Sequence, residues 1–173
     1  LRTQVTSINQ GIANGNSAVT LLQIADKSMD EQSKILDTVK SKLIQANTAT
    51  TSTAGRAAIS KDISKLLQQL DNIAKQVNYN GLQLLQQDRS SGATASTAHS
   101  FQVGEKSGDT ISMKTIRANT AGLGLTDLRN LDQTGTISAT TAGTQQATVD
   151  AAINTLNGYR GDVGSTQNQV ESA

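Results

Sequence analysis

Every seventh residue near the start of the chain is apolar or Gly: Leu1, Ile8, Gly15, Leu22, Met29, Leu36 and Leu43. A second series, Val5, Ile12 and Val19, runs beside it, offset by four. Its next step meets Asp26, after which Ile35 and Val39 widen the stripe. Apolar residues spaced by three and four share one side of an α-helix. A ladder kept for about six heptads predicts one helix over residues 1–46, roughly 65–70 Å long at 1.5 Å per residue. A rod of that length cannot bury its own stripe, so it must lie against other helices. Such a shape suits mechanical or assembly work better than pocket chemistry.

Composition narrows the choice. The 173 residues suffice for one domain or one elongated module. With no Pro, nothing obligatorily breaks a long helix. With no Cys, a disulfide framework or a thiolate metal site is excluded. A net charge of +1 supplies no field that would steer the chain to nucleic acid or an acidic surface. Aromatics are 2% (Phe101, Tyr79 and Tyr159), too few to stack bases or sugars. Hydrophobic residues at 35% are few for a compact globule but suit thin rods with much surface. No apolar run approaches the roughly 18 residues of a membrane span, and no signal-peptide pattern is visible. Both ends fall inside periodic helices, so the natural gene product is expected to extend past them.

After the first helix, residues 48–55 form a Thr/Ser-rich break, with Thr53 as the expected N-cap of a second helix over 54–77. Ile63, Leu67, Leu70, Ala74 and Val77 make that helix's stripe, flanked by Ile59, Leu66 and Ile73. Asp62 with Lys65 and Asp71 with Lys75 are expected to decorate its outside. The short break and matching stripes predict that the two helices pack antiparallel. Asn80-Gly81 signals a turn, and a short extended piece is expected at 83–85. Residues 89–100 are low-complexity and read as a loop. Alternation at Phe101 and Val103 and at Ile111 and Met113 predicts a β-hairpin from 100–103 and 110–116. Residues 121–131 read as irregular or one short turn, and 132–143 as a polar link. A last helix is expected over 144–173, with Val149, Ile153, Leu156, Val163 and Val170 as a stripe interrupted by Arg160 and Gln167. Gly158, Gly161 and Gly164 make it poor in isolation, so neighbours must hold it. The expected fold class is mainly α: an elongated antiparallel helical bundle or coiled coil of three helices with a β-hairpin.

Catalytic chemistry finds no constellation. The single His, His99, falls in the low-complexity stretch, where a solvated loop residue is expected. Carboxylates are interleaved with Lys as on solvated helix faces. The glycines at Gly104 and Gly108 lack the ending of a phosphate loop. Asp26-Lys-Ser-Met-Asp30 lacks the Gly and distal Glu of a calcium loop. No enzyme activity, cofactor or metal site is expected.

Several runs resemble the bacterial flagellins. Ser7-Ile-Asn-Gln-Gly-Ile-Ala-Asn-Gly-Asn16, Leu22-Gln-Ile-Ala-Asp-Lys-Ser-Met-Asp-Glu-Gln32 and Ile35-Leu-Asp-Thr-Val-Lys40 are similar to the family's N-terminal core. Leu70-Asp-Asn-Ile-Ala74 with Tyr79-Asn-Gly81 resembles its second helix and exit turn, and Phe101-Gln-Val-Gly104 its hairpin. Tyr159-Arg-Gly-Asp-Val-Gly-Ser-Thr-Gln-Asn168 resembles the returning C-terminal helix. The likeness covers nearly the whole chain, and is nearest to flagellins of the Campylobacter and Helicobacter type. It implies a secreted structural subunit that polymerises with copies of itself into the flagellar filament. It also implies an export apparatus and a chaperone as partners of the full-length protein, with no nucleic acid or membrane partner.

The resemblance further implies one core domain over residues 1–173, in which an N-terminal portion spanning residues 1–131 is joined by a short link to a returning helix at 144–173. By the same resemblance the family's outermost terminal segments are expected to be missing and its variable outer domains essentially absent, so the chain alone is expected to stay soluble. A gapless match from Leu36 to Gly81 puts Thr38, Lys42 and Asp62 at positions that face the Toll-like receptor in stimulatory flagellins. The family has Arg, Leu and Glu there. An ammonium in place of an apolar anchor is expected to leave an unpaired charge in that interface, so contact with this innate receptor should be weak. Core packing is expected from Leu22, Met29, Leu36, Leu43, Ile63, Leu67, Leu70, Ile153 and Leu156. Two alternatives stand beside the filament subunit: a hook–filament junction protein of the flagellum, and a helical signalling or adhesin module.

Overall fold

The computed structural model describes residues 15–79, 82–86, 99–102 and 110–172. Three long helices dominate it: α1 (Gly15–Asn47), α2 (Thr53–Gln76) and, last in the chain, α5 (Ala139–Ser172). Between α2 and α5 come β1 (Asn78–Tyr79), β2 (Leu82–Gln83), β3 (His99–Gln102) and β4 (Thr110–Met113). Two single-turn helices follow, α3 (Thr126–Arg129) and α4 (Leu131–Thr134). The protein is mainly helical, as the periodicity predicts. The stretch of the first helix expected over residues 1–14, including Leu1, Val5, Ile8 and Ile12, lies outside the described residues.

Helix α1 presents two heptad rows to the interior. Leu22, Met29, Leu36 and Leu43 are fully buried. So are Ala18, Ala25, Gln32, Val39 and Ala46, which are offset from them by three. The inner second row is therefore this one. Val19, from the series offset by four, is only partly buried. Positions offset by three and seven form the seam of a coiled coil. The sequence hides this row because Ala scarcely marks a stripe and Gln contradicts one.

Helices α1 and α2 run antiparallel. Gln32 of α1 reaches Leu70, whereas Lys42, further along, reaches Asp62, further back. Helix α5 also runs antiparallel to α1, with Lys40 meeting Asp150 and Asp26 meeting Arg160. Ile63, Leu67, Leu70 and Leu156 are fully buried in this core. Ile153 departs from expectation: it packs against the core but is only partly buried. Ala152 beside it is buried instead. Fully burying a Leu or Ile contributes about 1.5–3 kcal/mol, so the continuous core is the main source of stability.

The connections are made by local polar chemistry. Thr48 Oγ1 donates to Ile44 O at 3.0 Å and Thr51 Oγ1 to Gln45 O at 2.7 Å, occupying carbonyls at the end of α1. Ser52, rather than the expected Thr53, caps α2, accepting from Gly55 N at 3.0 Å. The last helix starts at Ala139, earlier than the expected 144. Ser138 Oγ accepts from Thr141 N at 3.1 Å, and Ala142 is buried, so the Thr-rich stretch is helix rather than link. Gly135 ends α4 at φ 109°, a conformation that favours Gly.

The expected hairpin forms, with β3 pairing antiparallel with β4 and Phe101 opposite Ile111; β4 stops at Met113, short of the expected 116, and Val103 lies outside the described residues. His99 opens β3 and is not a loop residue. β1 and β2 make a second, smaller antiparallel pair, with Tyr79 opposite Leu82; the turn expected at Asn80-Gly81 lies outside the described residues.

Candidate interaction surface

An open groove of about 270 Å³ lies between helices α1 and α2. Thr38 and Lys42 line it from α1, and Asp62, Lys65, Leu66 and Gln69 from α2. The three positions singled out by resemblance, Thr38, Lys42 and Asp62, therefore share one groove. Lys42 Nζ lies 3.3 Å from Asp62 Oδ2 across it. The charge has a partner on the neighbouring helix because antiparallel packing brings the two residues level. Both side chains are substantially exposed, so the pair itself is worth only about 0.2–1 kcal/mol. Thr38 Oγ1 donates to Lys34 O at 3.1 Å, back onto its own helix.

A second set of ion pairs joins α1 to α5. Arg160 Nε donates to Asp26 Oδ1 at 3.0 Å, and its Nη1 to Asp30 Oδ1 at 3.3 Å. In the sequence, Asp26 interrupts one stripe and Arg160 another. In the structure the two interruptions are each other's partners. The hydrogen bond to Asp26 raises the Arg160 guanidinium above its ordinary range, helped by the charges of Asp26 and Asp30 and opposed by burial. Lys40 Nζ meets Asp150 Oδ1 at 2.7 Å further along.

The polar face of α2 is occupied as well. Asp71, expected outside beside Lys75, is buried. It accepts from Thr120 N, Thr120 Oγ1 and Arg129 Nε, each at 2.8 Å. Ser64 Oγ donates to Arg129 O, and Gln68 Nε2 to Asp132 Oδ2 at 3.2 Å. Ser60 Oγ accepts from Ile137 N at 2.9 Å. Spacings of four and three put these side chains along one side of α2, where they fasten the segment between β4 and α5. The sequence carries a signal for them: Ser60, Ser64, Gln68 and Asp71 recur at helical spacing. Among the described residues no group of three or more His, Cys, Asp or Glu is arranged to hold a metal ion, and no helix is long and apolar enough to cross a membrane.

This architecture has known counterparts. The chain is 25% identical to the solved flagellin of Bacillus cereus, with a TM-score of 0.70 over 93% of this chain and 88% of that one. Flagellin A of Helicobacter felis is 41% identical over 143 residues, covering 81% of this chain and 26% of that protein. The chain thus spans about a quarter of that relative's length. The flagellar filament 33 kDa core protein of Treponema phagedenis is 24% identical over 99% of this chain and 61% of its own length. The family model for the bacterial flagellin N-terminal helical region matches residues 1–90, more than half of the 173. With the paired long helices and hairpin already in place, that match shows that the chain belongs to the bacterial flagellin family.

Proposed function

We propose that the chain is the rod-forming portion of a structural subunit of the bacterial flagellar filament and carries no catalytic activity. The lengthwise packing of α1 with both α2 and α5 carries this reading. It makes a strut stiffened along its length, with its polar groups spent on interhelical fastening. The partner is then further copies of the chain, packed laterally and axially. The site of action is the extracellular flagellum, reached by secretion with an export apparatus and a chaperone acting on the full-length protein. Residues 1–173 act as one core unit in this reading. Electron microscopy of the full-length parent under polymerising conditions tests it. Helical filaments are expected; a parent that stays dispersed refutes the proposal.

We also infer that the α1–α2 groove is a poor contact for the innate Toll-like receptor. Where an apolar anchor would have to bury, Lys42 and Asp62 form an ion pair that must first lose its water. Thr38 offers one hydroxyl, already engaged with Lys34 O, in place of a five-donor guanidinium. A cell reporter exposed to the intact parent should respond weakly or not at all. Full-strength activation would refute this inference.

A further inference from the structure

The inner row of α1 reads Ala18, Ala25, Gln32, Val39, Ala46, and all five are fully buried. Four are small apolar residues. Away from Gln32, sliding α1 by one heptad lays one small apolar residue where another stood, Ala25 in place of Ala18 and Ala46 in place of Val39. Such a row supplies burial but scarcely any register.

Gln32 is the exception. Its Nε2 donates to Leu70 O of α2 at 3.1 Å and to Ala118 O at 2.8 Å, reaching segments 38 and 86 residues away. Two carbonyl acceptors at one end of the amide fix its orientation, because the oxygen could not replace the nitrogen there. The other end, Oε1, is buried with no donor. An amide satisfied at one end only stabilises a core less than an apolar side chain of the same shape. A lone polar residue in a heptad seam, however, selects register at a cost in stability.

We propose that Gln32 is a positioning residue. It sets the axial register of α1 against α2 and the Ala118 segment. It thereby keeps Thr38 and Lys42 level with Asp62 in the groove. A register shifted by one heptad takes the amide away from both carbonyls and so breaks the two hydrogen bonds it makes. This inference stands on the packing of the helices and is independent of filament formation and receptor contact.

The absence of Cys makes spin labelling unambiguous. Labels are placed through Ser41→Cys in α1 and Lys75→Cys in α2, both exposed, and read by pulsed dipolar EPR. With Gln32 present, one distance population is expected. Gln32→Met and Gln32→Leu keep the bulk and remove the amide. Both should fold, with unfolding midpoints equal to or above that of the labelled parent. Both should add a second population displaced by about 10 Å, one heptad at 1.5 Å per residue. A single unshifted population in both variants overturns the proposal. Loss of helical circular dichroism in both also overturns it, because the amide would then sustain the fold itself rather than its register. If one variant alone fails to fold, the distances in the other decide.

Discussion

Replacing Asp71 by Ala removes an acceptor that serves three donors at once: Thr120 N, Thr120 Oγ1 and Arg129 Nε. The three do not count equally. Thr120 is 4% exposed, so its amide cannot turn to water and is left unpaired, which costs about 1–3 kcal/mol. Its hydroxyl can rotate and recover some of its bonding. The Arg129 side chain is 34% exposed and can swing out, so its share is held to about 0.2–1 kcal/mol. Together these predict a loss of about 3 kcal/mol for Asp71→Ala, a fall in Tm of about 6–12 °C for a chain of this size. Asp71→Asn keeps one acceptor oxygen but presents an NH2 to another donor, and should lose about half as much. The control is Asp62→Ala on the same helix, whose carboxylate is 51% exposed and makes one long ion pair. It should shift stability by no more than about 1 kcal/mol. Urea unfolding followed by far-UV circular dichroism gives the ranking directly, from midpoints at an unchanged slope. If Asp71→Ala and Asp62→Ala unfold at the same denaturant concentration, the account of α2's polar face is wrong.

Arg160→Ala should lose about 1 kcal/mol, because its carboxylate partners are 40–42% exposed, and most of that loss should vanish in molar salt. The Arg160 pKa is raised by its hydrogen bond to Asp26, so while the carboxylates stay ionised its stabilisation is lost only as pH climbs through the folded value, far into alkali; calorimetry at about pH 6 and pH 9 should give the same penalty. Gly158→Ala and Gly161→Ala should each raise stability by about 0.5–1 kcal/mol in thermal melts, since an added Cβ meets nothing within 4 Å. Gly122→Ala should do the reverse, because its Cβ would overlap the backbone carbonyl of Arg117, and a melt no lower than the parent's would contradict that geometry. Leu36→Ala, at a fully buried heptad position, should cost about 2–5 kcal/mol by denaturant titration.

What can be read in advance follows from which forces are periodic. Leu22, Met29, Leu36 and Leu43 announce a helix and its buried side because large apolar residues repeat with the turn. The hairpin is legible for the same reason at period two. The inner row of α1 is not, since Ala18, Ala25 and Ala46 carry little hydrophobic contrast and Gln32 carries the wrong sign. Asp26 and Arg160 look like separate defects, and only long-range antiparallel pairing makes them complementary. Asp71 misleads because Lys75, four residues on, offers a ready surface partner, whereas its true donors stand 49 and 58 residues away. The groove is located only through its resemblance-derived positions. That Lys42 and Asp62 meet depends on helix register, which no single segment encodes.

The seam between α1 and α5 joins the first described helix to the last, with Asp26 and Arg160 separated by 134 positions. Contacts that distant demand a large loop-closure entropy before they return any energy. Leu22, Met29 and Leu36 lie in the first described helix, and the helix that covers them, α5, lies last among those described. Neither rod is complete without the other: α1 keeps its apolar rows from water only while α5 is docked, so undocking α5 exposes Leu22, Met29 and Leu36 together.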